Sequence, residues 1–101
     1  MTEDEKRELA DAYEQAANWI DTHGWFGNRR EHRSAPACFA IALQQTSHYT
    51  LSNKAFRWAV QVLELPLGIT PIMSIFEWND DPSRTKDEVI NVLHGLANKL
   101  R

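Results

Sequence analysis

The stretch from Trp78 to Ile90 constrains this chain most, because it fixes where one helix stops and where the next begins. Asp81-Pro82 bars helix, since the residue before a proline is pushed out of the α region. Thr85 and Glu88 then stand three apart, directly before the apolar pair Val89-Ile90, which is the pattern of a capping box. In such a box the Thr85 hydroxyl accepts from the Glu88 N–H, and the Glu88 carboxylate accepts from the Thr85 N–H. Asp87 and Glu88 also place negative charge at the positive end of the helix dipole. Asn79 and Asp80 are expected to bond turn backbone. Trp78 is expected to be buried against the last helix, with the Asn79–Arg84 turn ordered.

The rest of the chain reads as further helices. Thr2 and Glu5 form another capping box, and Leu9, Ala12, Tyr13, Ala16, Ala17 and Ile20 recur at gaps of three and four. Gly24 suits a left-handed C-terminal cap, so a first helix is predicted over 3–23. Ser34 and Pro36 start a second helix, over 35–45, that is apolar all round and hence central. Gln44 to Thr50 then forms a loop of about seven residues before a third helix over 52–64, capped by Ser52. Leu65-Pro66-Leu67-Gly68 breaks the chain, and Thr70 with Pro71 opens a short element over 71–78. Its β-branched residues leave a short strand open there. The last helix is predicted over 86–99, ending in the cations Lys99 and Arg101. The expected fold is all-α, a compact single-domain bundle (1–101) of four main helices plus one short helical element. Its expected core holds Leu9, Tyr13, Ile20, Phe39, Leu43, Phe56, Val60, Leu63, Phe76, Trp78, Val89, Ile90 and Leu93.

Composition narrows the class. A chain of 101 residues makes one domain and buries about two-thirds of its unfolded surface. The net charge of −3 argues against a general binder of nucleic acid or of an acidic membrane. The single Cys cannot form an intramolecular disulfide, and a reducing, cytoplasmic setting follows as the simpler expectation. The acidic start Met-Thr-Glu-Asp-Glu-Lys does not read as a signal peptide, and no apolar run approaches the ~18 residues of a membrane span.

Two segments also follow a known pattern. One is Ala16-Ala17 with Ile20, His23-Gly24-Trp25, Gly27, and Cys38 before Ala42. The other is Trp78-Asn79-Asp80, Pro82, Arg84-Thr85, Glu88-Val89-Ile90 and Leu93. Together they resemble a family of small uncharacterised proteins of actinobacteria and their phages, known only as a domain of unknown function. Two positions depart from it: Ser83 stands where the family has a glycine after the proline, and Ile41 where it has one between the Cys and the Ala. The resemblance implies a phage or mobile-element context and no established activity, and it supplies no catalytic residue.

Each constellation that could carry chemistry has a structural reading beside it. Cys38 could pair with His23, His32, His48 or His94 as a nucleophile, but its apolar neighbours favour a small core residue. Those same residues show no short ligand pair of the kind a zinc site uses, so neither a metal nor any other cofactor is expected. Asp80, Asp81, Asp87 and Glu88 crowd one turn, where turn and capping roles account for each of them. Trp19 and Trp58 sit at the edges of their stripes and are expected to seal the core rim.

The segment from Trp25 to Arg33 is different, because Arg29, Arg30, His32 and Arg33 follow the aromatics Trp25 and Phe26 directly. Arg and Trp are the typical anchors of protein interfaces. The expected function is therefore a non-enzymatic protein-binding module, with a host protein or a second copy of the chain as partner. In the implied phage context it would be an accessory protein regulating or inhibiting a host system. The partner-binding candidates are Trp25, Phe26, Arg29, Arg30, His32 and Arg33. Two alternatives remain: nucleic-acid binding through the basic loop Arg29–Arg33, and a Cys38-dependent enzyme. A helix-turn-helix reading of the second and third helices is disfavoured by the apolar second helix and the long expected link.

Overall fold

The computed structural model describes residues 1–25, 39–66 and 69–101. Five helices follow one another: α1 (Glu3–His23), α2 (Phe39–Thr46), α3 (Tyr49–Val62), α4 (Pro71–Asn79) and α5 (Lys86–Leu100). No strand occurs among the described residues, and the 71–78 element is helix. Thr70 fixes that choice by accepting from the Met73 N–H at 3.3 Å, with Pro71 in the first turn. None of the helices is long and apolar enough to cross a membrane, as judged on the described residues.

α1 is the spine, packing most extensively on α5 and also against α2 and α3. Its stripe Leu9, Ala12, Tyr13, Ala16, Ala17 and Ile20 is buried, as the spacing requires. Alanines at the crossings let helices approach closely: Ala16, Ala40, Ala42, Ala55, Ala59 and Ala97 all have no exposed surface. Tyr13 is completely buried, and its hydroxyl donates to the Ala55 carbonyl at 2.5 Å, tying α1 to α3. Burial pushes the Tyr13 phenol well above the ordinary tyrosine range, so it stays a neutral donor.

Several expectations need correction. Ser52 is not the cap of the third helix. α3 begins a turn earlier, where the Nδ1 of His48 accepts from the Leu51 N–H at 3.2 Å. Ser52 is buried inside the helix, its hydroxyl donating back to the Tyr49 carbonyl. The loop expected over Gln44–Thr50 shrinks to Ser47 and His48, so the length argument against a helix-turn-helix does not hold. The buried residues Phe39, Ala40, Ala42 and Leu43 still keep α2 committed to the core. The expected start of the second helix at 35 lies outside the described residues. Leu63, Phe76 and Ile90 are half-buried at the core edge rather than inside it. α3 stops in a left-handed turn, with Glu64 at φ 52° and the Leu65 N–H bonded to the Val60 carbonyl.

Candidate functional site

The turn between α4 and α5 is ordered by its own side chains. The Asp81 carboxylate accepts from both the Ser83 N–H at 2.9 Å and the Ser83 hydroxyl at 2.7 Å. Those two bonds, backbone first, hold the Asp81 carboxyl below the usual aspartate range. Thr85 caps α5 by accepting from the Glu88 N–H at 3.2 Å. The Glu88 carboxylate does not complete the expected box; it goes to the Arg84 guanidinium at 2.9 Å.

Arg84 joins the two helices. Its Nε donates to the Trp78 carbonyl at 2.9 Å, at the end of α4, where that carbonyl also accepts from the Asp81 N–H at 3.5 Å. Its guanidinium carbon lies 3.9 Å from the centroid of the Trp78 ring, a cation–π contact. The edge of Phe39 in α2 meets the same indole at 5.6 Å and 76°. Trp78 is therefore half-buried between Phe39 and Arg84, and the expectation that it lies buried against the last helix is corrected. Arg84 covers a ring face that apolar packing would otherwise have to cover.

Asn79 overturns its sequence reading most clearly. It is fully buried, and its Oδ1 accepts from the Trp25 indole N–H at 2.8 Å and from the Phe39 backbone N–H at 3.1 Å. Two donors aimed at one atom identify that atom as the carboxamide oxygen. Its Nδ2 reaches the Asp80 carboxylate at 3.4 Å. Asn79 is thus a tertiary clasp rather than a turn former. It holds the residue just before the segment 26–38 and the residue just after it. A signal for this was present: Ile72, Ile75, Phe76 and Asn79 share one stripe, so the asparagine occupies a core-facing position.

Of the six partner-binding candidates, Trp25 is the one among the described residues. It is half-buried, with its indole N–H committed to Asn79. Phe26, Arg29, Arg30, His32 and Arg33 lie outside the described residues, as does Cys38. His23 is exposed and stacks on Trp19 at 4.2 Å, while His48 caps α3. Among the described residues, no group of three or more His, Cys, Asp and Glu side chains is placed to hold a metal ion. Asp80, Asp81 and Glu88 are engaged by Asn79, Ser83 and Arg84, while Asp87 is exposed in the first turn of α5.

No curated protein and no solved structure matches the chain. The model of one family, described as a family of unknown function (DUF6197), matches residues 4–99, and the chain belongs to that family.

Proposed function

We propose that the protein is a non-enzymatic binding module that engages a protein partner through Arg29, Arg30, His32 and Arg33. In this reading Trp25 acts as the stem of that segment rather than as a contact. The observation that carries it is the Asn79 clasp, which ties Trp25 and Phe39 to one buried oxygen. Anchored flanks reduce the entropic cost of binding through the residues between them. A strongly basic cluster on a chain of net charge −3 then supplies the complementary charge for an acidic protein surface. Phe26 adds an apolar anchor beside it.

The proposed setting is the cytoplasm. The partner is a host protein or a second copy, and the protein regulates or inhibits a host system in a phage or mobile-element context. That setting is an analogy drawn from the sequence resemblance. Affinity capture with the full chain, followed by mass spectrometry, tests the reading. A partner recovered by the wild type and lost after R29E/R30E/R33E is expected. Recovery of the same partner by the reversed variant, or of none by the wild type, sinks it. Binding to short duplex or single strands that collapses steeply with salt would transfer the arginines to nucleic acid.

A further inference from the structure

At the other end of α4 from the clasp lies a groove of about 420 Å³ between α3 and the start of α4. Tyr49, Asn53 and Phe56 form its α3 side, with Arg57 beside them; Pro71 and Ile72 form the other. Among the described large hydrophobics Tyr49 is 79% exposed, Ile69 94% and Met73 42%. With Met1 these are the large hydrophobics that stand open among the described residues. Tyr49 lines the groove, and Ile69 and Met73 stand next in sequence to its lining residues Thr70 and Ile72, so exposed apolar side chains accompany it.

The charge around this groove is one-sided. Lys6, Arg7, Arg84, Lys86 and Arg101 all make ion pairs. Arg57 lines the groove, Lys54 lies one turn away, and neither has an ion-pair partner among the described residues. No acid among the described residues lines the groove, although Glu5 lines the neighbouring hollow of about 280 Å³ together with Lys54, Arg57 and Trp58. The first turns of α1 and α5 carry acids, and those of α3 and α4 carry none. Arg57, with Lys54 one turn away, offers positive charge that an acidic ligand would complement.

We propose that the groove docks a short acidic segment of a protein partner. An apolar side chain of that segment enters between Tyr49 and Ile72, and its carboxylates meet Arg57 and Lys54. Two cations on an overall negative chain are a weak footprint for a nucleic-acid backbone, whereas the apolar walls suit a peptide anchor. None of the residues named for the groove belongs to the Trp25–Arg33 segment, and the proposal does not depend on that segment being functional.

Selection of a displayed random 12-residue peptide library on the immobilised full chain tests the proposal. Sequences that combine a large apolar residue with two or more acids should be enriched. A synthetic peptide of the enriched sequence should shift the amide resonances of Tyr49, Asn53, Arg57 and Ile72. Its affinity should fall by about 10-fold in R57E, in line with loss of an interface arginine, and also in Y49A. Both residues are exposed, so neither variant threatens the fold. R29E/R30E/R33E should leave peptide affinity unchanged, which separates failure here from failure of the loop reading. Absence of enrichment, enrichment of basic or neutral sequences, or equal binding by R57E overturns the proposal. Binding of a short DNA duplex that R57E abolishes would also overturn it, giving the face to nucleic acid.

Discussion

Replacing Asn79 with alanine tests the clasp directly. The substitution leaves the Phe39 N–H without its acceptor in a place where Phe39 has no exposed surface. A stranded buried donor costs about 1–3 kcal/mol. The Trp25 N–H loses the same acceptor, but Trp25 is half-buried and water can partly replace it, so about 1 kcal/mol or less applies there. Against this, alanine is the better helix former by under about 0.7 kcal/mol at the last position of α4. Together these terms give a loss of about 1–3 kcal/mol, a large share of the ~5–15 kcal/mol typical of a domain. Urea unfolding followed by tryptophan emission reads it, since Trp19, Trp58 and Trp78 remain as reporters when W25F is combined with N79A. The double variant should be milder than the two single changes added together, by about 1 kcal/mol, because both remove the same bond. Wild-type stability in N79A, or strict additivity with W25F, would show that the carboxamide is not what holds the two segments.

Three further outcomes follow from the same geometry. Glu64→Gly should stabilise the protein by about 0.5–1 kcal/mol in urea unfolding, because φ 52° strains a residue with a side chain and glycine adopts it freely. A loss of stability would refute that reading of the α3 terminus. Arg84→Lys should cost about 1–2 kcal/mol, since a lysine cannot cover the Trp78 face, bond its carbonyl and reach Glu88 at once; an unchanged midpoint would refute it. The third outcome concerns acid. A hydrogen bond from Arg101 holds the Glu14 carboxyl below the usual glutamate range. A group depressed on folding contributes stability above its unfolded value, about 4.3, and loses it as pH falls through the lower folded value. The urea midpoint should therefore drop on acidification below about pH 5, and less steeply in E14Q. Equal slopes in both proteins would refute the pairing.

The helices were legible because each carried a physical signature that needed no tertiary knowledge. Thr2, Thr70 and Thr85 each accept from the N–H three residues on, and the apolar gaps of α1 and α5 put the right residues inside. Three of the misreadings share a cause: a polar side chain took a partner that local patterning alone does not settle. His48 serves as a cap although Ser52 is the commoner cap residue, and the choice is settled by how close α2 must end to α3. Glu88 leaves its own helix start for Arg84, because Arg84 is already drawn to the Trp78 carbonyl and ring face. Asn79 looks like a turn residue by composition and a core residue by register, and the register prevails because a donor from each side of the 26–38 segment converges on it. A core position filled by a carboxamide costs free energy unless both its donors and its acceptor are met. An asparagine kept there is therefore explained by what it grips, and what Asn79 grips is the two ends of the segment that carries the arginines.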